Sequence, residues 1–217
     1  MSPPYFIGWQ FFRIVFATYF RWRVCNPERV PATGAVILAA NHASFLDPPL
    51  IGVGLRRPIH YLARESLLRF PLVRTLLNSW NAVPVDRDGG GAKGLRNILD
   101  RLVSGAGILM FPEGTRTHDG DLRSAHSGIG LIVIKSSAPV VPVRTFGTFE
   151  ALGRRHSFPR PYKVAIKYGR PIMYENLRKE AATCSKVRLK EIYQEVAADI
   201  MAQIASLEPV TEKIAFP

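Results

Sequence analysis

Residues 35–49 read AVILAANHASFLDPP, and this stretch determines how the rest of the chain is interpreted. The apolar run at 35–40 is typical of a buried strand. Asp47, followed by two prolines, predicts a helix that starts with Asp47 as its N-cap and a proline in its first turn. Between the strand and the helix lies His42. The stretch therefore predicts a strand, a short polar loop and a helix, with an imidazole and a carboxylate in the loop.

The same alternation of apolar runs and helical stretches continues along the chain. It predicts an α/β fold with a mixed, mostly parallel central sheet flanked by helices. Strands are expected at 59–63, 83–85, 107–111, 140–143 and 163–168, and helices at 65–80 with a break at Pro71, 92–102, 128–136 and 185–204.

Composition limits the classes of protein to be considered. The chain has 217 residues, of which 47% are hydrophobic, enough for one domain with a sizeable core. The net charge of +12 favours anionic partners such as lipid headgroups, acidic carriers, phosphorylated substrates or nucleic acid. No motif typical of nucleic-acid binding is present, so nucleic acid is not an expected partner. The two cysteines, Cys25 and Cys184, indicate a reduced, cytosol-facing domain.

The first thirty residues differ from the rest. Residues 4–20 read PYFIGWQFFRIVFATYF and are followed by the cluster RWR at 21–23. The apolar run is shorter than the ~20 residues that span a bilayer, and Arg13 interrupts it. We therefore expect a membrane-docking segment at 1–30, an interfacial helix on an anionic surface, in preference to a helix packed only on the core. A catalytic domain at 31–206 and a flexible tail at 207–217 complete the expected organisation.

His42 and Asp47 are candidate catalytic residues. A histidine held by a carboxylate is a general base, as in the triad of serine proteases. The alternative is that Asp47 only caps the helix and that His42 is an ordinary loop residue. No G-x-S-x-G elbow accompanies the pair, and nothing marks Ser44 as a nucleophile. The hydroxyl to be activated is therefore expected to belong to the substrate.

A second polar loop, FPEGTR at 111–116, follows the strand at 107–111. Loops at the carboxyl ends of parallel strands share one edge of a sheet, so Glu113 and His42 are expected in one cleft. Arg116 is suited to bidentate binding of phosphate, and Arg87 follows another extended segment. The alternative is a solvated turn shaped by Pro112 and Gly114. The five histidines lack the spacing of a metal site, so no metal is expected.

Four segments resemble the sequence boxes of the glycerolipid acyltransferases. Asn41-His42-x4-Asp47 is similar to the family's N-H-x4-D box, and the segment 111–116 is similar to its F-P-E-G-[TS]-R box. The segment AVPVDR at 82–87 resembles the one that ends in the family's arginine, and VVPV at 140–143 resembles its fourth box. The chain departs from the family at Arg64 and His126, where lysine is frequent, and at Asn81, where glycine is frequent.

The resemblance implies a reaction and its partners. His42, oriented by Asp47, would deprotonate the free hydroxyl of lysophosphatidic acid, which attacks the thioester of acyl-CoA or acyl-acyl-carrier protein and yields phosphatidic acid. It further implies that the glycerol phosphate is held by a set of binding residues: Arg87, Glu113, Gly114, Thr115 and Arg116. No cofactor is implied. The expected location is the cytoplasmic face of the inner membrane, peripheral or monotopic.

Two other hypotheses remain open. In the first, the chain performs the same chemistry on a different acceptor, either another lysophospholipid or an acylated amino-lipid. A non-catalytic membrane-binding module of the same fold is the second hypothesis, and it predicts loss of the His/Asp pair or of the Glu/Arg loop, both of which are intact here.

Overall fold

The structure is a computed structural model that describes residues 2–64, 66, 69–85 and 92–209. In chain order the helices and strands are α1 (Pro3–Thr18), β1 (Arg23–Cys25), β2 (Val36–Ala40), α2 (Asp47–Val53), β3 (Ile59–Arg64), α3 (Pro71–Ser79), β4 (Ala82–Val85), α4 (Ala92–Val103), β5 (Gly107–Met110), α5 (Gly128–Lys135), β6 (Val140–Phe146), α6 (Thr148–Leu152), β7 (Ala165–Tyr168), α7 (Glu175–Ala181) and α8 (Lys186–Ala205).

The strands form one seven-stranded sheet in the order β1-β7-β6-β2-β5-β3-β4. All neighbouring strands are parallel except β6 and β7, which are antiparallel. Five strands therefore run in one direction, and β1 and β7 run in the other. The predicted α/β fold with a mixed, mostly parallel sheet is confirmed.

Strand β2 lies at the centre of the sheet and is buried along its whole length. Val36, Leu38 and Ala40 contribute to a core shared with α1 and α2. Ile37 and Ala39 point to the other face and join a core built with α4, α5 and α8. An apolar strand without polar alternation is typical of a sheet that is covered by helices on both faces.

Helix α1 has two apolar faces. Tyr5 and Phe16 are buried in the protein core, whereas Ile7, Phe11 and Ile14 are 68%, 59% and 63% exposed. The sequence predicted a helix here, and the helix is present with one face packed on the protein and another in solvent. Among the described residues, no helix has the length and apolar character needed to cross a bilayer.

Most predicted elements are found within two or three residues of their expected bounds. Asn81 has a φ of 56°, in the left-handed region that asparagine tolerates better than most residues, which explains how it replaces glycine before β4. Elements β1, α6 and α7 were not predicted. Residues 207 and 208 of the expected tail accept hydrogen bonds at their carbonyls from Arg144 and Lys167, and residues 210–217 lie outside the described part of the chain.

Candidate active site

The two polar loops meet at the carboxyl end of the parallel strands, as expected. His42 follows β2 and Glu113 follows β5, and these two strands are hydrogen-bonded neighbours. Two hydrogen bonds join the loops directly at His42. Its main-chain N–H donates to Glu113 Oε1 at 3.1 Å, and its carbonyl accepts from Thr117 N–H at 2.8 Å. The backbone of His42 is therefore fixed by the opposite loop.

The side chains of His42 and Asp47 form a hydrogen bond of 3.0 Å between Nδ1 and Oδ2. Asp47 is completely buried, whereas 17% of the His42 side chain is exposed. With Nδ1–H donating to the carboxylate, the lone pair of the ring lies on Nε2. Within the described residues no group hydrogen-bonds Nε2. The arrangement is that of an oriented general base.

Asp47 differs from the prediction in one respect. It is the first residue of α2 and not the N-cap, which is Leu46. Its Oδ2 accepts the loop N–H groups of Ala43 and Ser44, both at 2.7 Å, and binds no N–H of the helix. The carboxylate shapes the turn that precedes the helix, because the short loop brings those N–H groups back to it.

Thr145, at the carboxyl end of β6, is a member of the site that the sequence analysis missed. Its hydroxyl lies 3.0 Å from Asp47 Oδ1, so the second carboxylate oxygen is also satisfied. Asn41 fixes Thr145 in turn, since Asn41 Oδ1 accepts the Thr145 N–H at 2.8 Å and its amide donates to the Thr145 carbonyl at 3.3 Å. All three side chains are buried.

Two further contacts restrict the site. The Phe111 ring stacks on the His42 ring with centroids 3.9 Å apart and an interplanar angle of 15°, which fixes the plane of the imidazole. The Ser44 hydroxyl is buried and donates to the Leu152 carbonyl at 2.7 Å. Ser44 therefore has a structural position, in agreement with the prediction that it is not a nucleophile.

Glu113 lies deeper than a solvated turn would place it. Only 4% of the residue is exposed, and its Oε2 has no hydrogen-bond partner within the described residues. Burial raises its pKa from 4.5 to about 7, against the opposing effect of the nearby N–H groups of His42 and Arg123. The negative charge of Asp47 raises the pKa further.

Arg116 lies at the exposed side of the same loop. Its guanidinium carbon is 3.5 Å from the centroid of the Phe45 ring, which is 67% exposed and lies in the loop between His42 and Asp47. Burial and, secondarily, the positive charge of Arg154 lower the pKa of Arg116. Stacking on an aromatic ring is a geometry suited to guanidinium groups and leaves their N–H edges available.

The remaining predicted residues have different positions. Gly114 adopts a φ of 71°, and a Cβ there would contact the ring of His126. Thr115 is exposed. Arg87 lies outside the described residues, so its predicted place near Arg116 stays a prediction. No group of three or more histidine, cysteine, aspartate or glutamate side chains with metal-site geometry occurs in the described residues.

Comparison with known proteins identifies the family. The sequence model of the acyltransferase family matches residues 21–145, more than half of the chain. The chain belongs to the acyltransferase family. The matched range contains the His42–Asp47 pair, the loop 111–116 and Thr145.

Curated relatives of this acyltransferase share part of their sequence with it. The 1-acyl-sn-glycerol-3-phosphate acyltransferase of Bacillus subtilis (strain 168) is 33% identical over 122 residues, 55% of this chain and 60% of the relative. The protein of the same name from Borreliella burgdorferi is 30% identical over 127 residues, 58% of this chain and 51% of the relative. The matches thus span 60% of the first relative and about half of the second.

A solved structure supports the fold assignment of this acyltransferase. The crystal structure of the 1-acyl-sn-glycerophosphate (LPA) acyltransferase PlsC from Thermotoga maritima aligns with a TM-score of 0.71 and 27% sequence identity. The alignment covers 94% of this chain and 80% of that one. The similarity therefore extends beyond the residues matched by the family model.

Proposed function

We propose that this acyltransferase moves a fatty acyl group from acyl-CoA or acyl-acyl-carrier protein to the free hydroxyl of 1-acyl-glycerol-3-phosphate, giving phosphatidic acid for phospholipid synthesis. The observation that carries the proposal is the hydrogen bond of 3.0 Å between His42 Nδ1 and Asp47 Oδ2, in a site whose other ring nitrogen has no partner among the described residues. The names of the relatives from Bacillus subtilis and Borreliella burgdorferi support this acceptor.

The proposed reaction uses the substrate as the nucleophile. His42 Nε2 takes the proton of the acceptor hydroxyl while the oxygen attacks the thioester carbonyl carbon. The tetrahedral intermediate collapses with cleavage of the C–S bond, and the imidazolium returns the proton to the departing thiolate. Asp47 stabilises the imidazolium without taking its proton. No protein-bound acyl intermediate, cofactor or metal takes part in these steps.

Arg116 is the residue in the described site best suited to bind the acceptor phosphate. Its guanidinium carbon lies 3.5 Å from the ring centroid of Phe45, and Phe45 belongs to the loop that also carries His42. A guanidinium group held over a ring loses little side-chain entropy when it binds an anion. By resemblance, Arg87, Glu113, Gly114 and Thr115 complete the proposed phosphate site.

The reaction is tested by incubating the purified chain with radiolabelled lysophosphatidic acid and palmitoyl-CoA and resolving the lipids. We expect phosphatidic acid from the wild type and from His156→Ala, a histidine control outside the site, and a loss of at least about a thousandfold for His42→Ala. Wild-type turnover by His42→Ala contradicts the assignment of the base. Product only with other lysolipids points to a different acceptor, and no product with any acceptor or donor favours the non-catalytic module.

The phosphate assignment has a separate test. Arg116→Ala should raise the Michaelis constant for lysophosphatidic acid much more than that for a monoacylglycerol, which lacks the phosphate. Arg116→Lys should recover part of the difference, because it keeps the charge and loses the bidentate geometry. An equal loss with both acceptors would make Arg116 a structural residue.

We also propose that the protein docks on the anionic cytoplasmic face of the inner membrane through α1, as a peripheral or monotopic protein. Ile7, Phe11 and Ile14 have the spacing of one helical face, and each is more than half exposed. Arg13 lies within this helix and Arg21 and Arg23 follow it, and their positive charge is opposite in sign to that of lipid phosphates, which favours attraction.

Point substitutions test the docking better than deletion of the helix. Deletion would also remove Tyr5 and Phe16 from the core, so that loss of binding would have two explanations. Phe11→Ser with Ile14→Ser should weaken sedimentation with anionic vesicles and leave the melting temperature near that of the wild type. Val103→Ser with Val187→Ser, exposed positions on α4 and α8, is the matched control. Equal binding by both double variants would leave α1 without a role at the membrane.

A further inference from the structure

A cavity of about 910 Å³ lies at the edge of the sheet opposite to the active site. It is bounded by the amino-terminal approaches to β2 and β3, by the end of β1 and by the second half of α1. His42 follows the carboxyl end of β2, which has five residues, so the two sites are separated by about 17 Å of strand. The volume is within the ~300–1,000 Å³ of small-molecule sites.

The walls of this cavity are strongly basic. Four arginines, Arg13, Arg23, Arg56 and Arg57, are among its lining residues, against one acidic residue, Glu28. Arg57 is part of the framework, because it donates to the carbonyls of residues 31, 34 and 105. Even without Arg57, the lining charge favours an anion.

Arg13 is oriented before any ligand arrives. Its guanidinium carbon lies 4.6 Å from the Trp9 ring centroid and 5.6 Å from that of Trp22, and its Nη1 donates to the Val53 carbonyl at 3.3 Å. A guanidinium group fixed in this way retains N–H donors for an anion and pays little entropy on binding.

The rest of the lining is largely apolar and continues to the exposed face of α1. Ala17, Val24, Val30 and Leu55 contribute aliphatic surface to the cavity. Ala17 is exposed and lies one helical turn after Ile14, which is 63% exposed on the face proposed to dock on lipid. A ligand with both an anionic head and an apolar chain would therefore satisfy the cavity and reach it from the bilayer.

We propose that this cavity binds one anionic bilayer phospholipid, with its phosphate between Arg13, Arg23 and Arg56 and the start of an acyl chain along Ala17 and Leu55. The occupant is a lipid and not a soluble phosphate, because most of the lining apart from its charged residues is apolar, and because Ala17, in one wall, lies one helical turn after the exposed Ile14. The proposed docking of α1 supplies the route from the bilayer, whereas the cavity itself carries the site proposal. The proposal adds a second lipid site that takes no part in acyl transfer.

The test counts bound lipid on the full-length chain in a mild non-ionic detergent by native mass spectrometry. All proteins carry Arg116→Ala, so that binding at the active site is weakened. The probe is phosphatidylglycerol, with phosphatidylcholine as the comparison, a zwitterionic lipid that has the phosphate but no net charge. Arg56→Glu reverses a charge at an exposed cavity position, Ala17→Trp fills the cavity without changing charge, and Lys190→Glu on α8 is the matched control for the change in net charge.

We expect one tightly bound phosphatidylglycerol in the Arg116→Ala protein, binding at least tenfold weaker in Arg56→Glu and in Ala17→Trp, and no change in Lys190→Glu. Equal weakening by Arg56→Glu and Lys190→Glu overturns the proposal, since only net charge would matter. Displacement of the lipid by inorganic phosphate or coenzyme A overturns it in favour of a soluble anion. Equal retention of phosphatidylcholine overturns the assignment to an anionic lipid, since the net charge of the headgroup would then have no effect.

The number of lipids bound per protein in detergent depends neither on docking to a vesicle nor on acyl transfer. If the Phe11→Ser, Ile14→Ser protein binds vesicles as the wild type does but the cavity holds its lipid, the docking proposal fails and the lipid site stands. If docking holds and no tight lipid is counted, the second site fails alone. Acyl transfer by Arg56→Glu, measured in micelles with wild-type Arg116, should equal that of the wild type.

Discussion

Asp47 is the residue on which the geometry of the site depends. Its carboxylate is fully buried and has four partners: the His42 ring, the N–H groups of Ala43 and Ser44, and the Thr145 hydroxyl. A carboxylate is tolerated in the interior when its oxygens are hydrogen-bonded, and here the same bonds set the direction of the imidazole. The hydrogen bonds that fold the loop around Asp47 are therefore the same ones that orient the base.

Thr145 acts through Asp47 and is a positioning residue. Thr145→Val keeps the shape and removes the donor at Oδ1, and a hydrogen bond to a charged group contributes about 1.5–3 kcal/mol. We therefore expect kcat to fall at least about tenfold with the Michaelis constant for the acceptor nearly unchanged. Thr145→Ser, which restores the hydroxyl, should recover most of the rate. Equal losses in both variants would mean that only packing at Thr145 matters.

Glu113 makes stability depend on pH. Its pKa is raised by burial from 4.5 to about 7, so the folded protein binds more protons than the unfolded chain between these values. The contribution of Glu113 to the free energy of unfolding is fully present below about pH 4.5. It is lost as the pH rises through about 7. Glu113→Gln keeps an acceptor for the His42 N–H and cannot ionise.

Denaturant unfolding at a series of pH values tests this linkage. Relative to the wild type, Glu113→Gln should be equally stable near pH 4.5 and more stable by at most about 3 kcal/mol near pH 8. Glu150→Gln, at an exposed glutamate of α6, is the control and should follow the wild-type curve. A constant difference at every pH would show that ionisation of Glu113 has no effect on folding.

Sequence reasoning found the site residues that lie close together in the chain. His42 and Asp47 are five residues apart, and the spacing made them a candidate pair that the resemblance to the N-H-x4-D box then favoured. Thr145 is 98 residues from Asp47 and 104 from Asn41, and only the register of β6 beside β2 brings them together. The depth of Glu113 was also missed, because the turn residues around it are equally compatible with an exposed loop.

Among the helices and strands, apolar periodicity predicted the longer ones, and the short ones escaped it. Strand β1 has three residues and α6 has five, too few for a period to be recognised. Helix α1 illustrates another limit. Its dense aromatic sequence predicted an interfacial helix, yet both a core-facing and a solvent-facing apolar surface are present, and composition alone does not separate the two.

The contact between α5 and α8 depends on a glycine. A Cβ at Gly130 would overlap the main-chain carbonyl of Tyr193, whereas a Cβ at Gly128, two residues earlier in the same helix, would meet nothing within 4 Å. Since α8 must shift to accept it, Gly130→Ala should cost about 1–3 kcal/mol in denaturant unfolding. Gly128→Ala is the matched control and should be neutral or stabilising by up to about 1 kcal/mol. Equal stability of both variants would contradict the close approach.

At the scale of the whole molecule, the sheet order determines where the site lies. Strand β2 lies between β5 and β6, and the loops after β2 and β5 and the end of β6 each supply part of the site. Ligands in open α/β sheets bind beyond the carboxyl ends of strands, so the sequence predicted the edge correctly. It did not predict the order, because parallel pairing joins segments that are distant in the chain and leaves no local pattern.

The net charge of +12 and the apolar face of α1 should contribute to membrane binding in different ways. Charge attraction weakens as the Debye length falls from about 10 Å at 0.1 M salt to about 3 Å at 1 M, whereas apolar burial does not. Sedimentation of the wild type with anionic vesicles should therefore drop several-fold between 0.05 and 0.5 M salt and then level off. The Phe11→Ser, Ile14→Ser protein should fall to background at high salt. If binding of the wild type does not change with salt, the net charge makes no contribution. If binding of both proteins vanishes at high salt, the apolar face of α1 makes no contribution.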